Sequence, residues 1–225
     1  MVGAAGIDQS GAVMAGVAED GSASEKKSIH AREQDSEEGR RRRHAWREQL
    51  ASIDPRLLVF VDESGATTEM TRRYGRAFGG QRVREATPAG HWRTLTVLGA
   101  MSAEGLIATM TIEAPTDREV FLGYLEEVLC PRLKPGQIVV MDNLSSHKVA
   151  GVSELIHAAG AELLYLPPYS PDFNPIEKCW SKLKQKLRSL KARTLDALET
   201  AVAVAIPDIS PQNAQAWFKH CGYGL

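Results

Sequence analysis

The chain has 225 residues, 43% hydrophobic and 24% charged, enough for one domain with a proper core. Its 27 basic and 28 acidic side chains nearly cancel, so overall charge singles out no partner. The lack of any apolar run of about eighteen residues argues against a membrane span, the acid-interrupted N-terminus against a secretory signal, and the scattered Cys130, Cys179 and Cys221 against a structural zinc site.

Residues 1–50 are small and polar at first, then highly charged through SEEGRRRRHAWR, with little to bury. They read as a disordered, loosely helical or linker leader, and order is expected over residues 51–225. RLLVFVDES is an apolar run ending in two acids, as a buried central strand does. TLTVLGAMS and GLIATMTIEAP follow as an antiparallel hairpin turned at Glu104 and Gly105. TDREVFLGYLEEVLCPRL sets Val120, Phe121, Tyr124, Leu125, Val128 and Leu129 at helical spacing, with Thr116 as N-cap and Pro131 as stop. GQIVVMDN is another buried strand, HKVAGVSELIHAAG a helix closed by Gly160, and AELLYLPP a strand stopped by two prolines. A basic amphipathic helix then runs from Asn174, with Ile176, Trp180, Leu183, Leu187 and Leu190 on one stripe. A last helix near Leu195–Ala205 and a tail containing Trp217 complete the chain.

Strands joined through helices lie parallel, with right-handed crossovers, while the first three can form a meander. The predicted fold class is α/β: a mixed five-stranded sheet with helices on both faces. In that layout Asp62 ends the first strand, Asp142 ends the fourth beside it, and Glu177 opens the helix after the fifth. All three can meet at one sheet edge, in the crevice where α/β sheets bind ligands. Clustered carboxylates raise one another's pKa and stay ionised only beside cations. Oxygen-only ligands suit Mg2+ or Mn2+, and two such ions roughly 3.5–4 Å apart suit in-line phosphoryl transfer. In YSPDFNPIEKCW, Pro171 and Pro175 stiffen the approach, Asn174 is the expected helix cap and Asp172 a turn builder. On the helix pattern alone, Glu177 reads equally as a first-turn acid complementing the helix dipole.

Two basic segments flank these acids. Thr71 to Arg93 holds six arginines against one Glu, and Pro171 to Arg193 holds seven Lys or Arg against two acids. Such segments serve either as solvated faces or as a bed for a polyanion. Arg72, Arg73, Lys184 and Arg188 are the candidate DNA contacts. Asn143 and His147 are candidates for supporting the metal ligands from behind. Glu63 is expected on the face opposite Asp62. Tyr169 reads as packing the loop, with stacking on an unpaired base as the alternative; Trp92, Trp180 and Trp217 read as core or edge packing, and the cysteines as inert.

Together VDESGATTEM, VVMDNLSSHK and LPPYSPDFNPIEKCWSKLK closely resemble the DDE transposases of bacterial insertion sequences in the mariner superfamily. Thirty-four residues separate Asp142 from Glu177, the gap characteristic of that superfamily's second and third acids. The resemblance covers about Ile53 to the C-terminus. It implies a ribonuclease H-like fold, with Asp62, Asp142 and Glu177 as the catalytic triad that binds two Mg2+ or Mn2+ ions. It implies double-stranded DNA as partner, both element ends and target, and a homodimer in a synaptic complex. Water would cut a phosphodiester at the element end, and the freed 3′-hydroxyl would attack target DNA. A bacterial cytoplasmic protein, nucleoid-associated when bound to DNA, is implied as well. Family members carry an N-terminal helix-turn-helix region that residues 1–50 do not show. KKSIHAREQD resembles the family's linker, so the chain is expected to start just ahead of the catalytic domain. The rival readings are a stand-alone metal-dependent nuclease of the same fold and a DNA-binding remnant of a decayed element.

Overall fold

The structure, a computed structural model, describes residues 31–72, 74–88, 90–143 and 150–225. Five strands, β1 Leu58–Thr67, β2 Thr94–Ser102, β3 Gly105–Ile112, β4 Ile138–Met141 and β5 Glu162–Tyr165, lie in the order β3-β2-β1-β4-β5. β1 and β3 pair antiparallel with β2, while β4 runs parallel to both β1 and β5. The predicted mixed sheet is thus observed, with β1 at its centre. Every side chain from Leu58 to Asp62 is buried, which is why this run shows no alternation.

The helices are α1 Glu37–Leu50, α2 Arg118–Gly123, α3 Val152–Ala158, α4 Ile176–Leu190, α5 Leu195–Ala205 and α6 Pro211–His220. They divide between the two faces by strand parity. Leu58, Phe60, Ile138 and Val140 join the buried side of α4, α5 and α6 in one core. Val59, Val61, Val139 and Met141 join α2 and α3 in the other. On α4 the predicted stripe is buried from Ile176 to Leu187, but Leu190 is exposed. Gly99 on β2 faces Trp180, and a Cβ there would stand 2.5 Å from the indole, so only glycine lets the ring lie against the strand.

Three expectations are corrected. The leader does not run unstructured to residue 50, because Ser36 caps α1 by accepting the Gly39 N–H at 3.0 Å and α1 buries Trp46 against the α4-side core. A single anchoring Trp leaves no periodic stripe, so the helix is invisible to pattern reading. In the next helix Asp117, not Thr116, is the cap, accepting from the Val120 N–H at 2.9 Å. Beyond Gly123 the turns widen into a π segment, Tyr124–Leu129, which buries Tyr124, Leu125 and Leu129 together. The tail is a true helix: Ser210 and Asn213 cap α6 reciprocally, and Phe218 and Tyr223 pack on Phe60 with ring centroids 5.3 and 5.1 Å away.

Candidate active site

Strand register ends one residue before two of the acids. Phe60 pairs with Val140 and Val61 with Met141 in the parallel β1–β4 ladder. One step further along lie Asp62 and Asp142, each with the parity of Phe60 and Val140, so both belong to the face that α4 covers. Asp62 is buried; its Oδ1 accepts the Glu63 N–H at 2.8 Å and its Oδ2 accepts from Asn174 Nδ2 at 3.3 Å. Glu63, of opposite parity, keeps a buried Oε2 without a hydrogen-bond partner.

The third acid lies in the first turn of α4, just past the loop from β5. Leu166 N–H still bonds Met141 O at 2.8 Å, carrying the sheet to the edge of the site. Tyr169 then takes a left-handed conformation at φ 56, and Pro171–Phe173 forms one 3-10 turn. Asn174 does not cap α4 as expected. It is buried, its side chain turns to Asp62, and Pro175 takes the cap position. Glu177 N–H bonds Asn174 O at 3.2 Å, so the residue that touches the first acid also fixes the backbone of the third.

Asp142, Asn143, Tyr169, Asn174 and Glu177 line one pocket of about 370 Å³. Glu177 keeps solvent contact, but the burial of its carboxyl pushes its pKa up; Lys184 opposes that rise and the negative charge of Asp142 adds to it. Among the described residues, no group of three or more His, Cys, Asp or Glu side chains is arranged to hold a metal ion. The acids share a face without closing around one point. The donor chemistry nevertheless fits a hard divalent cation. Asn143 Oδ1 and Asn174 Oδ1 are buried without partners, and with the carboxylates they make an oxygen-only set around the pocket. Asn143 thus lines the same pocket as Asp142 and Glu177. His147 lies outside the described residues.

The predicted DNA contacts separate into two places. Lys184 stands two turns beyond Glu177, and its charge opposes the rise in the Glu177 pKa. Arg72 and Arg188 come from distant segments to line a groove of about 550 Å³ with Tyr74, Lys182 and Lys186. Lys182 and Lys186 are held there by Asp208, at 2.6 Å through its carbonyl and 2.8 Å through its carboxylate. Arg73 lies outside the described residues.

Pattern reading misses what holds the loop. Arg43 on α1 donates to both oxygens of Asp172, at 2.9 and 2.5 Å, and to Ser170 Oγ at 2.8 Å. Its guanidinium lies 4.1 Å over the Phe173 ring. Burial tends to raise the Asp172 pKa, but the Arg43 hydrogen bonds and charge prevail and hold it below the usual range. Gln34 Nε2 donates to Tyr169 O at 2.6 Å, and Tyr223 Oη donates to Phe173 O at 2.6 Å. One signal exists: Arg43 stands three residues before Trp46, on the inward face of a helix. The exposure of two aromatics bears on how they are read. Tyr169 is 61% and Trp92 56% exposed, so neither fills a core. The cysteines are free thiols, and burial pushes Cys179 up to about 12 and Cys221 up to about 11, so both stay protonated near neutrality.

A mixed five-stranded sheet in the order β3-β2-β1-β4-β5, with helices on both faces, is the ribonuclease H-like fold. The sequence profile of the DDE superfamily endonucleases matches residues 57–199, well over half of the chain, and the chain belongs to that family. It is 28% identical over 103 residues to the transposable element Tcb1 transposase of Caenorhabditis briggsae, covering 44% of this chain and 38% of that protein. It is 27% identical over 146 residues to the transposable element Tc1 transposase of Caenorhabditis elegans, covering 58% and 53%. The chain thus spans about half or less of the curated relatives it matches. In fold it is similar to the Mos1 transposase in a paired-end complex with left transposon end, with a TM-score of 0.71 at 15% identity over 90% of this chain and 64% of that one. No helix among the described residues is long and apolar enough to cross a membrane.

Proposed function

We propose that this chain is the catalytic domain of a Tc1/mariner-type transposase, cutting and joining DNA strands with Asp62, Asp142 and Glu177 as its catalytic acids. The observation that carries the reading is that the parallel β1–β4 register ends at Val61 and Met141, one residue before Asp62 and Asp142, and that Asp142 and Glu177 line one pocket. Magnesium or manganese, two ions in this reading, would when bound supply Lewis-acid stabilisation of the attacking and leaving oxygens. Mos1 paired-end complexes have been solved with each of these metals, which supports the choice. The chain's own share is placement and charge. The three carboxylates would hold the ions, Asn143 and Asn174 would add neutral oxygens, and the closed loop would fix Glu177 relative to Asp62. Lys184 would meet the phosphodiester beside the cut, and Arg72 and Arg188 would hold the duplex further along. Two copies joining two element ends is the assembly this reading expects, as the paired-end complex of Mos1 suggests.

The test is nicking and strand transfer on DNA carrying the element ends, with Mg2+ or Mn2+. Asp62→Ala, Asp142→Ala and Glu177→Ala should each lose both activities. Glu177→Ala should not lower the thermal midpoint at pH 7. The sign follows from the raised pKa: the native state binds more protons than the unfolded chain from pH 4.5 upward, so ionised Glu177 costs stability above that window. Cleavage by Glu177→Ala at the wild-type rate would sink the assignment. Nicking without strand transfer by the wild-type chain would favour the stand-alone nuclease.

A further inference from the structure

The Arg43 cluster lies on a helix outside the residues that match the family profile, yet every group it touches lies on the loop that delivers the third acid. A surface ion pair would need no further explanation, because exposed pairs are worth little. This one is not a surface pair on the arginine side. The Arg43 side chain is only 12% exposed, it grips Asp172 with two nitrogens, and it is stacked on Phe173, itself 5% exposed. That geometry uses the planar fork in full, which a lysine could not reproduce.

The loop also needs holding. Tyr169 sits at φ 56, a left-handed conformation that bulky residues rarely adopt and that persists only where the surroundings over-determine it. Its carbonyl is tied to Gln34, and the turn that follows is tied to Arg43. From the gripped residues the path to the acids is short. Phe173 is followed by Asn174, which donates to Asp62 and accepts from the Glu177 backbone.

We propose that Arg43 is a positioning residue for the metal site, fixing Asn174 and Glu177 against Asp62 by clamping the Ser170–Phe173 turn. Helix α1 is then part of the catalytic apparatus, and displacing it would loosen the site without touching a carboxylate. The proposal rests on the reading of Glu177 as a metal-binding acid, so the experiment measures both.

Mn2+ binding is titrated on the full chain without DNA, by the loss of the free-ion electron paramagnetic resonance signal, for the wild type, Glu177→Ala, Arg43→Met and Arg43→Lys. Methionine keeps an apolar stem over Phe173 and removes the fork, while lysine keeps the charge alone. Arg43→Met should weaken Mn2+ binding about tenfold or more, the range found when groups that orient metal ligands are removed. Arg43→Lys should recover only a minor part. The Mn2+ concentration for half-maximal cleavage should rise in parallel, with much of the rate returning at saturating metal, which a purely structural role would not produce. Arg43→Met binding Mn2+ within twofold of the wild type, while Glu177→Ala binds it weakly, would overturn the positioning role alone. Unchanged binding by Glu177→Ala would overturn the assignment of Glu177 and this proposal with it. Should Arg43→Met not fold by circular dichroism, Asp172→Asn, which leaves Arg43 over Phe173, decides the matter by the same criteria.

Discussion

The loop from Leu166 to Pro175 and the arm from Glu69 to Trp92 leave the sheet at the same end, one after β5 and the other between β1 and β2, but they are built from opposite materials. The loop buries Ser170, Phe173 and Asn174 and is bonded from α1, from Asp62 and from the C-terminal Tyr223. The arm is secured mainly at its root, where Arg193 donates to Thr68 O at 2.9 Å and Met70 O at 3.1 Å, and Thr68 and Arg93 exchange bonds. Beyond the root its Tyr74 and Phe78 are 91% and 96% exposed among arginines. A carboxylate that meets a metal ion needs a placement good to about 0.5 Å, and a packed loop tied by long-range hydrogen bonds can hold the start of the next helix that well. Exposed aromatics and arginines suit contact with something outside this chain.

The contrast is broken most severely by removing apolar mass from each connection in turn. Phe173→Ala should cost about 3–5 kcal/mol, because it empties a buried ring site and takes the seat from under Arg43. Phe78→Ala should stay within about 0.5 kcal/mol. Urea denaturation of both variants measures the difference. A comparable loss in Phe78→Ala would show that the arm packs in solution and that the two connections are alike.

The next effect concerns binding rather than folding. Arg72→Ala with Arg188→Ala should leave the urea midpoint unchanged while weakening DNA binding for every sequence alike. The slope of log K against log salt should fall by about 0.9 for each phosphate that is no longer neutralised. An unchanged slope in a salt titration would return this groove to the status of a solvated face.

Much of this division is legible in the amino-acid sequence. Strand composition and turn residues locate all five strands, and the parity of Asp62 within a buried run places it on the α4 face. Elements with their own periodicity, such as α4 and α5, can be read to within a residue or two. What stays hidden depends on tertiary partners. The α1 helix is anchored by Trp46 and Arg43 rather than by a stripe, so its pattern is that of a charged tail. Asn174 looks like a cap in every local respect, and only the presence of Asp62 turns it away from the helix. Trp92 looks like core until the strand next to it is seen to begin only at Thr94. Local chemistry foretells where the acids lie, and long-range hydrogen bonds determine what holds them.

The smallest effect tests whether the arm is pinned to the core at a distal ion pair. Lys191 ends α4 in a left-handed conformation, φ 54 and ψ 41, and its ammonium pairs with Glu85 of the arm. The conformation costs a non-glycine residue roughly 1–2 kcal/mol, whereas glycine adopts it freely. The ion pair, partly exposed on both sides, contributes about 0–1 kcal/mol and is screened by salt. Lys191→Ala and Lys191→Gly lose the same pair, so the stability difference between them isolates the backbone term, which should favour glycine by about 1 kcal/mol. Glu85→Gln keeps the backbone and isolates the pair, so it should cost less than about 0.5 kcal/mol at low salt and nothing measurable at high salt. Paired denaturation curves at two salt concentrations give both quantities. A loss above about 1 kcal/mol in Glu85→Gln that survives high salt would mean that the arm is fastened to α4 as firmly as the Leu166–Pro175 loop is fastened to α1.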